Sequence, residues 1–261
     1  MKNKNLKILG IILLLLVLVA LILTSIHKKP PVKKVPVKKA RMVSGRIVIV
    51  IDDWGYHLNN LAIIQEIKQP LTCAVLPGLK NSNPVMRELN SYGCEIILHL
   101  PMEPKEKYNL EKNTITTTMN AKQIHNILEQ ALFSVSLAKG VSNHMGSRVT
   151  EDKRTAGIVM AEVRKRRLYF FDSFVTKESI CQALAKKEKI KCAQRDIFLD
   201  NQDDFEYIQG QLTKLKNLAR RQGVAIGIGH DRKNTLMVLK EMLPKLEKEG
   251  YKFIFLSQAV R

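Results

Sequence analysis

Several signals are missing from this 261-residue sequence. There is no GxxxxGKS loop, and Gly227-Ile228-Gly229 runs into His230 instead of opening a phosphate cradle, so intracellular phosphate chemistry has little support. No internal repeat is visible beyond an alternation of strand-like and helix-like runs. The four cysteines (Cys73, Cys94, Cys181 and Cys192) are scattered and lack metal-ligand spacing. Cys73 and Cys94 lie in apolar runs and read as small buried hydrophobes, whereas Cys181 and Cys192 are close enough along the chain to pair across a helix and loop. Acidic residues are absent from residues 1–46, which hold eleven of the 43 basic ones. The remainder carries 32 basic and 24 acidic residues, a net +8 that does not call for nucleic acid. The basic tail reads instead as a contact to an anionic surface.

What is present first is a long apolar run. Residues 8–26 contain no charge, and nineteen helical residues span about 28 Å, close to the ~30 Å hydrocarbon core of a bilayer. Lys2, Lys4 and Lys7 precede the run like the start of an export signal. No Ala-x-Ala-like site and no lipid-attachment cysteine follow, so residues 1–26 are expected to stay as an uncleaved anchor, with a cleaved signal peptide as the alternative. Seven basic residues between Lys28 and Arg41 outnumber the three before the run, which by the positive-inside rule argues for a cytoplasmic domain. The short basic N-terminus argues for export, and the expectation is a membrane-anchored domain on the extracytoplasmic, envelope side. Residues 27–45, with Pro30, Pro31 and Pro36 among Lys-Lys-Val units, read as an extended linker.

From Arg46 to the end at residue 261 short apolar runs alternate with amphipathic ones. Strands are predicted at 46–51, 71–75, 94–98, 139–142, 168–171, 196–199, 224–228 and 252–256. Helices are predicted at 58–68, 82–91, 120–137, 152–166, 177–188, 203–222 and 234–248, with Gly223 and Gly250 closing two of them. This order predicts an α/β fold: a distorted barrel of seven or eight (β/α) units, preceded by one transmembrane helix, with an open doubly wound sheet as the runner-up. Residues 103–119 read as an excursion over the rim, with room for a small hairpin at 114–119.

In a barrel of this kind the reactive groups lie where the strands end. Asp52-Asp53 follow the first strand, His99 the third, Asn143-His144 the fourth, Asp172-Ser173 the fifth, Asp200-Asn201 the sixth and His230-Asp231 the seventh. Two adjacent acids after a buried strand crowd like charges, which a cation would relieve. One carboxylate and two imidazoles suit Zn²⁺ or another divalent metal, with a position left open for water. A second carboxylate could act as base and a histidine across the pocket as acid, which points to metal-assisted hydrolysis of an ester or amide. His27, His57 and His125 have no evident partner in the sequence.

IVIVIDDWG, Leu76-Pro77-Gly78, HLPMEP, GVSNHMGS, FDS, FLDN and AIGIGH, in this order, resemble the divergent polysaccharide deacetylases, an envelope-associated branch of the carbohydrate esterases, over about residues 46–258. The resemblance implies a distorted (β/α) barrel, Zn²⁺, and an envelope polysaccharide or peptidoglycan-like glycan as substrate. It implies Asp52 as base, Asp53 as metal ligand and His230 as acid. The typical second motif is His-x-x-x-His, but this chain reads His99-Leu-Pro-Met-Glu103. His144 is therefore inferred as the third ligand beside Asp53 and His99, with Glu103 as the competitor. Arg148 is expected to pair with the base, Asp172 to orient His230 or a ligand, and Asn143 to line the site. The alternative is a catalytically inactive, membrane-tethered module that binds a glycan or a protein.

Overall fold

The computed structural model describes residues 2–26, with backbone alone at 2–9 and 24–26, and residues 43–261. It forms two compact units, Met1–Ala40 and Arg41–Arg261. In the first, α1 runs Lys2–Ile26, and the side chains of Leu13 and Leu14 are 66% and 73% exposed. Among the described residues no helix is long and apolar enough to cross a membrane. Most of the expected linker, residues 27–42, lies outside the described residues.

The second unit holds nine strands: β1 Gly45–Trp54, β2 Thr72–Val75, β3 Glu95–Met102, β4 Gly140–Met145, β5 Tyr169–Asp172, β6 Cys192–Gln194, β7 Ile197–Phe198, β8 Val224–His230 and β9 Tyr251–Phe253. Seven helices accompany them: α2 Leu61–Glu66, α3 Ser82–Ser91, α4 Ala121–Ser134, α5 Lys153–Lys165, α6 Cys181–Glu188, α7 Phe205–Gln222 and α8 Lys233–Lys248. All strand pairs are parallel, in the order β6-β5-β4-β3-β2-β1-β8-β7, with β9 beside the start of β1.

Both faces of the sheet are buried, so the strands read as continuous apolar runs. Val48, Val50, Ala74, Ile97, Phe171, Ile226 and Ile228 pack together on one face, inside the curl of the sheet. Ile47, Ile49, Ile51, Val75, Ile96 and Leu98 point the other way, into the layer shared with the helices. Among the described residues every buried hydrophobic side chain lies between Ile47 and Leu256, so residues 41–261 carry their own core.

The sheet curls into a parallel barrel with one unpaired seam, because β6 and β7 do not bond to each other. Only Arg195 and Asp196 separate them, and they bridge the seam. Arg195 N–H donates to Asp172 O at 3.0 Å, and Asp196 N–H donates to Ile226 O at 2.9 Å.

The remaining differences from the sequence expectation are local. β6 was not expected, since three residues beginning at a cysteine are too short to show a period. The helix expected at 58–68 is only Leu61–Glu66, and the strand expected at 196–199 is only Ile197–Phe198. The excursion at 103–119 contains no hairpin. Ile115 instead makes one isolated parallel bridge to Met102. The four cysteines are free thiols, so Cys181 and Cys192 are not paired.

Candidate active site

Parallel strands place all their C-terminal ends on one rim, and the polar residues of the sequence gather there. The end of β1 is irregular: its pairing with β2 shifts register between Ile51 and Trp54, and Asp53 is left-handed at φ 68°. In a regular strand neighbouring side chains face opposite ways, and an irregularity of this kind re-aims one of them. As a result both carboxylates reach the same imidazole. His99 Nε2 lies 3.6 Å from Asp52 Oδ2 and 3.3 Å from Asp53 Oδ1.

His99 is on β3 and His144 on β4, two neighbouring strands in which His99 pairs in register with Ser142 and Pro101 with His144. The period of two therefore puts His99, Ser142 and His144 on one face. His144 Nδ1 approaches Asp53 Oδ1 to 3.1 Å, and the two imidazoles meet edge to face at 5.0 Å between centroids. Met145 and Gly146 turn the chain away immediately afterwards, both at positive φ.

One donor atom each from Asp53, His99 and His144 lie within 4.8 Å of one another. Asp53 Oδ1 is buried without a hydrogen-bond partner among the described residues, although two ring nitrogens point at it. A tetrahedral Zn²⁺ with bonds of about 2.0–2.2 Å sets its ligand atoms roughly 3.3 Å apart, so the donor set fits such an ion. His99 Nδ1 is 2.8 Å from Ser142 Oγ, the outer contact that fixes the ring when Nε2 ligates.

Electrostatics separates the two acids. Burial raises the pKa of Asp52, more strongly than the His99 and His230 charges lower it. For Asp53 burial is outweighed by the facing His144 and His99 rings, which hold its carboxyl well below the usual range. One carboxylate is thus pushed towards accepting a proton and the other is kept ionised, an arrangement typical of paired acid–base sites.

His230 ends β8, in register with Asp52 on β1. Its ring is oriented by Asp200, two residues beyond β7. Nδ1 is 2.8 Å from Asp200 Oδ1, while Asp200 Oδ2 accepts from His230 N–H and Thr235 Oγ1, each at 2.7 Å. Burial lowers the His230 pKa, but the Asp200 bond and charge outweigh it and the net direction is upward. Nε2 is left without a protein partner among the described residues. Phe198 stacks on this ring at 6.0 Å, and the Arg195 guanidinium lies 3.8 Å over Phe198 while donating to the carbonyls of Ser173 and Phe174.

Four sequence candidates sit elsewhere. Asp172 does not contact His230: its carboxylate accepts from Ser179 Oγ at 2.7 Å and Phe174 N–H at 2.8 Å, folding the loop after β5. Arg148 does not pair with Asp52 but lies 3.4 Å from Glu103, whose other oxygen accepts from Thr117 N–H and Oγ1. Glu103 therefore fastens the 103–119 excursion and is not in the His99–His144 cluster. Asn143 is fully buried and ties β4 to β5 by accepting from Ser173 N–H at 2.9 Å.

Sequence reasoning missed two roles. Asp200 was visible only as a rim residue, and its pairing with His230 depends on β7 lying beside β8. His57 has a partner after all, Asp231 Oδ2 at 3.4 Å, on a carboxylate that also accepts from Asn60 Nδ2 at 2.8 Å and that burial pushes up to about 6.

The model of the divergent polysaccharide deacetylase family matches residues 49–260. Uncharacterized protein YibQ of Escherichia coli (strain K12) is 33% identical over 205 residues, 78% of this chain, and the match spans 64% of that relative's length. A crystal structure of an uncharacterized protein from Agrobacterium tumefaciens C58 superposes with a TM-score of 0.79 at 23% identity, over 83% of this chain and 89% of that one. A CE4 family pseudoenzyme from Bacillus anthracis superposes with a TM-score of 0.51 at 12% identity, over 82% and 64%. The first two carry no named activity, and the likenesses in structure speak to the fold. With a family match over four-fifths of its length, the chain belongs to the divergent polysaccharide deacetylases.

Proposed function

We propose that this protein is a metal-dependent hydrolase that removes acetyl groups from an envelope polysaccharide or peptidoglycan-like glycan. The observation that carries this reading is the convergence of Asp53, His99 and His144 on one point, with Asp52 beside it and His230 on the adjoining strand. These three residues would hold Zn²⁺ or another divalent ion. When bound, such an ion supplies Lewis acidity towards an acyl oxygen and acidifies water. Asp52, its proton affinity raised by burial, accepts the proton of the attacking water. His230, held by Asp200 with Nε2 directed away from that bond, donates a proton to the departing amine or alcohol. Ser142 keeps the His99 ring in its ligating orientation.

It is the sequence that supports a membrane anchor: residues 8–26 are uncharged and almost wholly apolar. On this reading the domain works outside the cytoplasmic membrane, within reach of the glycan.

Metal content by plasma mass spectrometry on residues 41–261 tests the site, beside Asp53→Ala and His144→Ala. Near-stoichiometric metal that both substitutions abolish, with acetate released from an acetylated glycan by the parent protein, supports the hydrolase. A second reading, a binding module without turnover, is favoured by the Glu103 that stands where the second motif of the typical deacetylases carries its second histidine. A folded domain that takes up no metal even after Zn²⁺ is added refutes the hydrolase and leaves that second reading.

A further inference from the structure

The parallel strands all begin at the end of the barrel opposite the Asp53–His99–His144 rim, and the chain enters the barrel at that end, at Gly45. Helices α5 and α6 finish there, leading into β5 and β6. Their last turns and the connections that follow carry Arg167, Lys186, Lys187, Lys189 and Lys191, all exposed. The nearby acids are already engaged: Glu162 holds Lys165 and Arg166 at 2.6 Å each, and Glu188 holds Arg164 at 3.0 Å. None of the five cations has a carboxylate partner among the described residues.

Cations near helix C-termini complement the macrodipole, which is the ordinary explanation for one or two of them. Two observations exceed it. Arg167 (φ 58°) and Lys189 (φ 56°) occupy left-handed positions at helix ends, a conformation that glycine adopts without strain. Helices α7 and α8 use Gly223 and Gly250 for the same purpose. The cations also converge. Arg164, Arg167, Lys189 and Lys191 wall a cleft of about 400 Å³ whose apolar part includes Leu168 and Val260. Beside it Lys186, Lys189, Lys191 and Arg261 surround a second cleft of about 500 Å³. By contrast, three cations on α8 and nearby are answered by acids: Lys245 by Glu241 at 2.6 Å, Lys240 by Glu66 at 2.6 Å and Lys216 by Glu249 at 2.7 Å.

We infer that this end of the barrel is an interaction surface for an anionic phospholipid bilayer, with lipid phosphates seated between Arg167, Lys186, Lys189 and Lys191. Charge complementarity and the entry of the chain at the same end both favour a bilayer over a soluble partner. Docked this way, the barrel turns its Asp53–His99–His144 rim away from the lipid. The direction from which the bilayer approaches rests on the anchor reading above, but binding by the isolated domain does not. Failure of one therefore leaves the other standing.

The test is co-sedimentation of residues 41–261 with vesicles of phosphatidylcholine alone or mixed with phosphatidylglycerol. Each cation at an anionic surface is worth roughly a fivefold change in partitioning at low salt, so Lys186→Gln, Lys189→Gln and Lys191→Gln together should weaken binding on the order of a hundredfold. The control removes the same charge from the opposite end with Lys122→Gln, Lys153→Gln and Lys233→Gln, each in the first turn of a helix. Thermal unfolding verifies that both variants are folded. Binding only to the phosphatidylglycerol vesicles, lost between about 0.1 M and about 0.5 M salt, abolished by the first triple and kept by the second, supports the inference. No binding, equal binding to both vesicles, equal loss in both triples, or binding to a soluble polyuronate but not to vesicles overturns it.

Discussion

Replacing Asp200 with asparagine isolates the one contact on which the acid role proposed for His230 depends. In the native site a fully buried carboxylate accepts from His230 Nδ1 at 2.8 Å and also holds the His230 N–H and the Thr235 hydroxyl. Asparagine keeps the shape but removes the charge, and its amide nitrogen is a donor facing donors. A hydrogen bond to a charged group contributes about 1.5–3 kcal/mol, so the imidazolium–imidazole equilibrium of His230 should move about tenfold to a hundredfold towards the neutral ring. The assay is an NMR titration of the His230 ring in metal-free protein, which needs no turnover. Native His230 should titrate above an ordinary histidine and the Asp200→Asn ring distinctly lower. The sign also extends to stability. A histidine raised in the folded state contributes stability below the pKa of an unfolded histidine, and that contribution is lost as pH rises through the folded value. The stability gap between the two proteins should accordingly be wider in mild acid than in mild base. A His230 that titrates identically in both proteins would refute the assignment of Asp200 as its orienting partner.

Three further outcomes follow from single contacts. Glu162→Gln should cost about 1–2 kcal/mol near neutral pH, discounted because Lys165 is largely exposed. Burial opposes ionisation of Glu162, but Lys165, Arg166 and His125 bring it down to about 2, so the difference should vanish as acid denaturation curves approach that pH. Gly45→Ala would place a Cβ 2.7 Å from the carbonyl carbon and oxygen of Ala219; the clash is with backbone, and urea denaturation should show a loss of about 1–3 kcal/mol. Tyr169→Phe removes the donor that reaches Glu95 Oε1 at 2.9 Å beneath the barrel core, where Thr72 and the Ser257 N–H also donate; a cost of about 1–3 kcal/mol is expected in the same assay.

The sequence by itself determined the parallel α/β fold and which strand ends carry polar residues. Buried parallel strands must be apolar on both faces, so runs such as RIVIVI and VAIGI stand out, and the first polar residue after each run marks the rim. Asp52, Asp53, His99, His144 and His230 were legible for that reason, and the ordered motifs pointed to the family. What the sequence could not decide was which rim residues meet. Whether His144 or Glu103 approaches Asp53 depends on the register of β3 against β4 and on the irregular end of β1. Asp200, rather than Asp172, orients His230 because β7 pairs with β8 as its neighbour in the sheet, a contact between segments about thirty residues apart. Arg148 turns to Glu103 because the excursion lies against the loop after β4. The cationic end likewise exists only once α5 and α6 are packed side by side, since their lysines and arginines are separated in the chain. Composition and period are local properties and survive in one dimension; partners are set by packing, and only the folded chain brings them together.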